Sequence, residues 1–92
     1  MPFHFSRHFQ KDFAELSKKQ KNHLNLVLEK LSNAVNDSHQ HQGLGIRKLH
    51  RSGIFEARLG LELRLIFTFD KTRIILHRLG SHDEIKKYLK NL

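Results

Sequence analysis

The sequence contains no cysteine, a single proline, and no apolar run of membrane-spanning length. The lack of cysteine excludes disulfide bonds, thiolate catalysis and zinc sites built from cysteine. A transmembrane helix needs about 20 consecutive apolar residues. The first five residues, MPFHF, also lack the basic and then apolar order of a signal peptide. We therefore expect a cytoplasmic protein that does not bind a membrane.

Acidic residues are also scarce, with 9 Asp and Glu against 17 Lys and Arg, for a formal net charge of +8. This excess favours a polyanionic partner, either nucleic acid or an acidic protein, over a merely soluble basic surface. The charge is spread along the chain, which indicates a structured basic surface rather than a disordered basic tail. A length of 92 residues predicts one domain over residues 1–92.

The first part of the chain has the pattern of a short strand followed by two helices. Residues 3–6 alternate, and Ser6 is a plausible N-cap. Phe9, Phe13 and Leu16 then fall on one face of a helix, with Lys11, Asp12 and Glu15 facing away. A polar turn at residues 17–20 separates this helix from a second one over about 19–35. These segments predict a helical hairpin with one apolar side.

The remainder has the pattern of a strand meander that ends in a short helix. A polar loop over residues 36–45 precedes strand-like segments at 46–50, 54–59, 63–69 and 74–79, with a hairpin turn at 70–73. Ser81 is suited to cap a final helix. The order predicts an α+β fold, in which the N-terminal strand and helical hairpin pack on one face of a largely antiparallel four- to five-stranded sheet.

Residues 61–69 alternate strictly, so we expect their two faces to differ. Leu61, Leu63, Leu65, Phe67 and Phe69 share the face that the helices would cover, and Glu62, Arg64, Ile66 and Thr68 share the other. An arginine in the middle of a strand is costly to bury without an anion. Arg64 therefore either pairs across the sheet with Glu56 or Glu62, or it forms an anion-binding site. The spacing favours neither interpretation.

Other basic and titratable groups surround this strand. The run RKLHR at 47–51 is either a solvated edge strand or a track for the phosphate backbone, together with Arg58, Arg64 and Arg78. His82 follows the last strand, where a histidine can transfer a proton or simply lie on the surface. His77 is expected to pack or pair within the sheet. His39 and His41 lack a third ligand, so no metal site is predicted.

Three segments carry a resemblance to a known family. They are GIFEARL at 53–59, LRLIF at 63–67 and LGSHDEI at 79–85. They resemble the C-terminal half of the RelE/ParE toxin superfamily, and in particular the YafQ-like branch, whose last strand ends in a G-T/S-H signature. The resemblance extends loosely to the basic helical hairpin and so covers most of the chain.

The resemblance implies the toxin of a type II toxin–antitoxin system, a ribosome-dependent mRNA endoribonuclease. Its partners would be an acidic cognate antitoxin, mRNA on the ribosome, and rRNA. It would use no cofactor and no metal, because the RNA 2′-OH itself attacks the adjacent phosphate. The catalytic residues implied are Arg64, His82, Arg58 and Glu62. The RNA-binding residues implied are Lys48, His50, Arg51, Arg78 and Lys86.

Two positions depart from the family pattern. Relatives often carry an aromatic residue four positions after the histidine, where this chain has Lys86, and its only tyrosine is Tyr88. Many relatives have arginine directly after the histidine, where this chain has Asp83. Two alternatives therefore stay open beside the nuclease. One is a non-enzymatic inhibitor of DNA gyrase, as for ParE-like members, and the other is a silent relative that only binds its antitoxin.

Overall fold

The computed structural model describes residues 2–36, 45–49 and 53–91. Along the chain the elements are β1 (Phe3–Phe5), α1 (Arg7–Ala14), α2 (Lys18–Asn36), β2 (Arg47–Lys48), β3 (Phe55–Leu59), β4 (Leu63–Asp70), β5 (Arg73–Gly80) and α3 (His82–Lys90). This order confirms the predicted α+β class, with one strand and a helical hairpin before the meander. Within the described part of the chain, no helix is long and apolar enough to cross a membrane.

The strands form one sheet in the order β1-β5-β4-β3-β2. Neighbouring strands from β2 to β5 are antiparallel, whereas β1 pairs with β5 in parallel, with Phe3 opposite Ile74. The β4–β5 hairpin turns at Lys71 and Thr72, as the sequence at 70–73 predicts. The largely antiparallel sheet is therefore confirmed, and the N-terminal strand β1 forms the edge of the sheet beside β5.

Serine residues make hydrogen bonds at the N-terminus of each helix, as the sequence predicts for α1 and α3. Ser6 accepts a hydrogen bond from the Phe9 backbone N–H at 3.0 Å, and it donates to the His77 carbonyl at 2.8 Å. Ser17 and Gln20 exchange two hydrogen bonds at the start of α2, at 2.9 and 3.1 Å. The bonds from the backbone N–H groups of Phe9, Ser17 and Gln20 satisfy donors that have no partner within the helix itself.

The main core lies between the helical hairpin and one face of the sheet. The hairpin contributes Phe9, Leu24, Val27 and Leu31, and the sheet contributes Ala57, Leu59, Leu63, Leu65, Phe67, Ile74, Leu76 and Leu79. Leu65 and Phe67 are fully buried, as the alternation predicts for the covered face of β4. Burial of each such side chain stabilises the fold by roughly 1.5–3 kcal/mol.

The predicted apolar face is wrong at Leu61, which is 93% exposed because it lies in the turn between β3 and β4. Phe69 is on the predicted face, where its ring packs against those of Phe55 and Phe67, but it is 44% exposed near the end of β4. Ile66 departs in the other direction. It is on the face predicted to be polar, yet it is only 1% exposed. The reason is that α3 contacts β4 and β5 and so buries that side chain.

Asp12 is a second correction, since the helical period placed it on the outward side of α1. Its carboxylate instead accepts hydrogen bonds from Arg78 Nε at 2.8 Å, Arg78 Nη2 at 3.1 Å and the Leu79 backbone N–H at 2.9 Å. In the described sheet β1 ends at Phe5, so this stretch of β5 has β4 on one side and no strand on the side of β1. Asp12 caps the backbone there, because α1 runs alongside the sheet.

Two further predictions fall outside the described residues. The polar loop at 36–45, with His39 and His41, lies outside them from position 37 to position 44. The strand predicted at 46–50 is present as β2, Arg47–Lys48, and His50 is beyond the described part.

His77 pairs across the sheet as expected, with its Nε2 2.8 Å from Thr68 Oγ1. Burial, followed by the neighbouring His4, lowers the pKa of His77.

Candidate functional site

The register of the sheet arranges the polar face in cross-strand rows. Side chains of directly opposed residues in antiparallel strands lie on the same face. Arg58 on β3 is opposite Arg64 on β4, and Arg64 is opposite Gly80 on β5. The next row contains Arg47, Glu56, Ile66 and Arg78. Two arginines directly opposed repel each other, so this row favours an anion between them.

Arg64 is the most unusual of these arginines because it is mostly buried. Its side chain is 15% exposed, and its Nε and Nη1 atoms find no hydrogen-bond partner among the described residues. A buried donor without a partner costs free energy, and the cost is larger for a charged group. The side chain is therefore suited to a ligand that brings acceptor oxygens to these N–H groups.

Glu56 is the counter-charge of the site. It is 4% exposed, and its Oε1 atom lies 3.5 Å from Arg47 Nε and 3.7 Å from Arg64 Nε. The second distance is an ion pair but is too long for a hydrogen bond. One of the two interpretations left open, the cross-strand pair with Glu56, is thus present in the structure. It neutralises part of the charge of Arg64 without occupying its N–H groups.

Gly45 determines how Arg58 lies against the sheet. The glycine has a φ of +61°, a conformation that residues with a side chain rarely adopt. A Cβ atom built there would lie 2.9 Å from Arg58 Nε and 3.3 Å from Arg58 Cβ. The backbone at Gly45 therefore approaches Arg58 closely, and a larger residue would push this guanidinium away from the site.

The start of α3 brings His82 to the same end of the sheet. Ser81 is the N-cap, and it exchanges hydrogen bonds with Glu84 at 2.9 and 3.2 Å. The hydrogen bond that the Ser81 backbone N–H donates to the Glu84 carboxylate, followed by a contribution from the Ser81 side chain, lowers the pKa of Glu84. A Cβ atom at Gly80 would lie 3.1 Å from Glu84 Cβ, so the glycine lets the helix approach the strand. His82, the first residue of α3, is held by these contacts.

These side chains enclose a polar cleft of about 280 Å³, which we call the arginine cleft. It is lined by Gly45, Ile46, Arg47, Glu56, Arg58, Arg64 and His82. Three guanidinium groups face one carboxylate, which leaves an excess of positive charge. Guanidinium groups stay charged at any physiological pH and match carboxylate or phosphate oxygens in bidentate fashion. An anion with several oxygens is the ligand that suits this cleft.

A second hollow of about 240 Å³, which we call the lysine hollow, adjoins the cleft. It is lined by Arg47, Leu49, Glu56, His82, Ile85, Lys86 and Leu89, so the two share Arg47, Glu56 and His82. Its remaining residues form an apolar floor and one ammonium group. The site therefore consists of a strongly cationic part and a less polar annex, with His82 between them.

The structure brings together three of the four predicted catalytic residues. Arg64, Arg58 and His82 all line the arginine cleft. Glu62 does not line it, because it lies exposed in the turn between β3 and β4. Because β4 begins only at Leu63, the alternation that placed Glu62 beside Arg64 does not extend to it.

The predicted RNA-binding residues are more scattered. Lys86 borders the lysine hollow, but Lys48 is opposite Phe55 and so points to the other face of the sheet. Arg47, its neighbour, is the residue of that strand in the cleft. His50 and Arg51 lie outside the described residues.

Arg78 is held away from the cleft by α1 and α3. Besides its two hydrogen bonds to Asp12, its guanidinium lies 5.5 Å from the centre of the Tyr88 ring. The hydrogen bond to Asp12 raises the pKa of Arg78. Tyr88 is thus covered by Arg78. It lies two positions beyond Lys86, about 200° around the helix, and does not replace an aromatic at position 86.

Two residues of this region, Gly45 and Asp12, had no functional role in the sequence interpretation, and a third, Arg47, was predicted only as one member of the basic run at 47–51. Gly45 carried no signal beyond being a loop glycine, because its contact with Arg58 is made across the fold. Arg47 was part of a basic run in which nothing distinguished it from Lys48. The strand register distinguishes Arg47 from Lys48, because Arg47 is opposite Glu56. The contacts of Asp12 could not be predicted without knowing the position of α1 relative to β5.

Comparison with known proteins gives structural matches only. No protein family model matches the sequence, and no curated protein matches it. YafQ from E. coli strain BL21(DE3) superposes with a TM-score of 0.71 at 20% identity, covering 90% of this chain and 94% of that one.

Two other matches come from different branches of these toxins. RelE in the RelB–RelE antitoxin–toxin complex from Methanococcus jannaschii gives a TM-score of 0.69 at 20% identity, covering 91% of this chain and 95% of that one. The YoeB/ParE toxin from Agrobacterium tumefaciens gives 0.68 at 17% identity, covering 89% and 99%. The expected resemblance is thereby confirmed at the level of structure: this chain has the fold of the RelE/ParE toxins.

Proposed function

We propose that this protein is the toxin of a type II toxin–antitoxin pair and cleaves mRNA on the ribosome. The observation that carries the proposal is Arg64, whose Nε and Nη1 atoms are buried without a hydrogen-bond partner among the described residues, in a cleft that also contains Arg58 and His82. A phosphodiester brings acceptor oxygens to these donors. The histidine beside them supplies a group that can move a proton near neutral pH.

The proposed reaction is an internal transfer within the RNA. The 2′-OH of one nucleotide attacks the adjacent phosphorus, the bond from phosphorus to the 5′-oxygen of the next nucleotide breaks, and the products are a 2′,3′-cyclic phosphate and a free 5′-OH. A base must take the proton of the 2′-OH, and an acid must give one to the leaving oxygen. His82 is assigned to one of these two transfers.

Arg64 and Arg58 are assigned to the charge that develops on the phosphorane. Preorganised donors that meet this charge in a cleft are a main source of rate acceleration. Glu56 keeps Arg64 in position through the ion pair at 3.7 Å, and it leaves the N–H groups free for phosphate. Glu62 lies in an exposed turn, so we give it no part in this reaction.

The binding partners follow from the net charge of +8. Such a charge favours mRNA and rRNA as polyanions and an acidic antitoxin as the inhibitory protein. Structural matches include RelE with RelB, DinJ–YafQ from E. coli and YoeB–YefM from Staphylococcus aureus, which were solved as complexes. Their shared fold supports an antitoxin partner for this chain.

For the antitoxin we propose a specific surface, the apolar groove of about 530 Å³ between β1, α1 and α2. It is lined by Phe5, Phe9, Gln10, Phe13, Leu24, Asn25 and Leu28. Residues 7–36 carry six Lys and Arg against three Asp and Glu, and Lys21 Nζ lies 5.3 Å from the Phe13 ring centre. An acidic amphipathic helix matches both the apolar floor and the basic surroundings.

The nuclease proposal is tested by in vitro translation of a reporter mRNA with primer extension on the product. We expect wild type to cleave ribosome-bound mRNA. Arg64→Ala should slow cleavage by about 10²–10³-fold, and His82→Ala by about 10²–10⁴-fold. Arg73→Ala is the matched control, because Arg73 is exposed at the β4–β5 turn and pairs only with Asp70 among the described residues. It should cleave as wild type does.

Two results would contradict the nuclease proposal, and each would support one of the two alternatives. Intact mRNA together with loss of gyrase supercoiling in the presence of wild type would indicate a ParE-like inhibitor. Intact mRNA with unaffected translation and supercoiling would indicate a relative that only binds its antitoxin. If Arg64→Ala cleaved mRNA as fast as wild type, the role assigned to the arginine cleft would be wrong.

A further inference from the structure

Asp12 on α1 is a mostly buried carboxylate that has no part in the reaction assigned to the arginine cleft. Its side chain is 17% exposed, and both of its oxygens accept hydrogen bonds from β5. Oδ2 accepts from Arg78 Nε at 2.8 Å and from the Leu79 backbone N–H at 2.9 Å, and Oδ1 accepts from Arg78 Nη2 at 3.1 Å. Hydrogen bonds to an ionised carboxylate are stronger than those between neutral groups, so these contacts fix the end of β5 to α1.

The bond to Leu79 takes the place of a strand in this part of the sheet. In the described sheet β1 ends at Phe5, which is opposite Leu76, so β1 does not reach Leu79. Leu79 is 4% exposed, and a buried N–H group without an acceptor costs free energy. Asp12 supplies that acceptor. The position of the end of β5 therefore depends on a side chain from α1.

The segment that Asp12 holds leads directly into the arginine cleft. Gly80, next to Leu79, is opposite Arg64 on β4. His82 begins α3 two residues later, and it lines the cleft together with Arg64. A shift of the backbone at Leu79 would therefore move the histidine relative to the guanidinium group. A misplacement of about 1 Å can lower the rate of a reaction about 10²-fold.

The same ion pair also contacts the far end of α3. The guanidinium of Arg78, which Asp12 holds, lies 5.5 Å from the centre of the Tyr88 ring, within the range of a cation–π contact. Asp12 is thus connected to the start of α3 through the backbone and to its last turn through Arg78.

We propose that Asp12 is a positioning residue for His82 and acts through the backbone N–H of Leu79. This inference rests on the proposed nuclease function and deepens it. Asp12 itself does not line the arginine cleft, so it acts on the reaction only through the group that it holds in place.

The first test measures the surroundings of His82 and needs neither ribosomes nor cleavage. The ring NMR signals of His82 are recorded in wild type, Asp12→Ala and Thr68→Val. Thr68→Val is the control, because it also breaks one partly buried side-chain hydrogen bond to β5, that with His77, and does not line the cleft. We expect Asp12→Ala to shift the His82 signals and Thr68→Val to leave them unchanged. Unchanged His82 signals in Asp12→Ala would overturn the proposal.

Asp12→Asn separates the geometry from the charge. Its amide oxygen can replace Oδ2 and accept from Leu79 N–H and Arg78 Nε, whereas its amino group cannot accept from Arg78 Nη2. It should therefore keep the His82 signals of wild type although the charge is lost. If Asp12→Asn matched Asp12→Ala, the charge rather than the bond to Leu79 would be responsible, and the proposal would be wrong.

Asp12→Glu replaces Asp12→Ala if the alanine variant does not fold. It keeps a carboxylate for the ion pair with Arg78, but its additional methylene group changes the reach to Leu79 N–H. We expect it to shift the His82 signals more than Asp12→Asn does. The opposite order would contradict the role of the Leu79 bond.

The second test measures the kinetics of cleavage of ribosome-bound mRNA, at a temperature at which circular dichroism shows each variant to be folded. Asp12→Ala should lower kcat about 10–10²-fold, since the proton-transfer group is misplaced. Its KM should change little, because the groups that bind mRNA are intact. Asp12→Asn and Thr68→Val should keep the kcat of wild type. Equal losses in Asp12→Ala and Thr68→Val would reduce the role of Asp12 to stability and overturn the proposal.

The two tests distinguish failure of this inference from failure of the nuclease. Shifted His82 signals in Asp12→Ala, in a protein whose wild type leaves mRNA intact, would support the positioning role and contradict the nuclease. Cleavage by wild type with an unchanged kcat in Asp12→Ala would support the nuclease and contradict the positioning role.

Discussion

At the scale of single residues, the site depends on one buried carboxylate among three guanidinium groups. Glu56 lies 3.5 Å from Arg47 and 3.7 Å from Arg64, whereas Arg58 has its close contact with Gly45. Replacement of a buried ion pair by apolar residues is often neutral, but removal of one partner leaves an uncompensated charge. Glu56 therefore matters for stability mainly because Arg64 is present.

This argument predicts the effect of Glu56→Gln. The amide keeps the size of the side chain but leaves Arg64 and Arg47 without a counter-charge, so we expect a loss of about 1–3 kcal/mol in the free energy of unfolding. Urea denaturation followed by circular dichroism measures it. Glu62→Gln is the matched control, since Glu62 is exposed in a turn. Its effect should stay within about 0.5 kcal/mol, as for surface substitutions. Equal losses in the two variants would refute the role of Glu56.

The residue scale is also where the sequence was least informative. Arg64 stood out because an arginine in mid-strand is costly to bury, and His82 because it follows the last strand. Both line the cleft. Asp12, Arg47 and Gly45 did not stand out, because what they contact is decided by the strand register and by the position of α1. Such contacts between distant segments leave no periodic signal in the sequence.

At the scale of elements, the short helix α3 completes the site. Its first residue, His82, adjoins the arginine cleft, and Lys86, one turn later, borders the lysine hollow. Two groups of contacts hold it, namely the Ser81–Glu84 pair at its start and the contact of Tyr88 with Arg78 near its end. The position of the proposed proton-transfer group therefore depends on how well the first turn of α3 is capped.

This dependence predicts the effect of Ser81→Ala. Loss of the N-cap hydroxyl should cost about 1 kcal/mol in the free energy of unfolding and lower mRNA cleavage, since His82 follows directly. Ser17→Ala is the matched control, because Ser17 makes the same pair of hydrogen bonds at the start of α2. It should lose similar stability and keep its cleavage rate. Parallel loss of cleavage in both variants would show that the effect is merely one of stability.

The elements themselves were largely predictable because their signals are local. Alternation located β4, the apolar period located α1 and α2, and the serines at positions 6 and 81 marked helix starts that the structure confirms. The alternation failed at Leu61 and Ile66. Leu61 lies in a turn, and Ile66 is covered by α3, a distant helix whose docking site the alternation does not encode.

At the scale of the whole molecule, the two proposed activities, RNA cleavage and antitoxin binding, are assigned to different described surfaces. The arginine cleft and the lysine hollow lie on the face of the sheet that α3 contacts, and the apolar groove is formed by β1 and the helical hairpin. Among the residues that the structure describes, none lines both the apolar groove and either hollow. A variant of the groove should therefore alter antitoxin binding without altering the nuclease site.

Leu28→Glu tests this separation. It introduces a like charge at the proposed docking site of an acidic helix, so we expect at least about tenfold weaker binding to the proposed acidic antitoxin. Co-expression followed by size-exclusion chromatography and titration calorimetry measures it. Leu26→Glu is the matched control, since Leu26 lies on the same helix, is 56% exposed and does not line the groove. Its binding should match that of wild type, and equal weakening in both variants would contradict the assignment of the groove.

The parallel pairing of β1 with β5 has a consequence for the order in which the chain folds. The Ser6 hydroxyl and the His77 carbonyl are separated by 71 residues, whereas the β4–β5 hairpin joins neighbours along the chain. Contacts between distant residues require closure of a long loop and form slowly. We therefore expect the meander to assemble early and the N-terminal strand to join it late. The Asp12–Arg78 pair, which spans 66 residues, would then form in that late step.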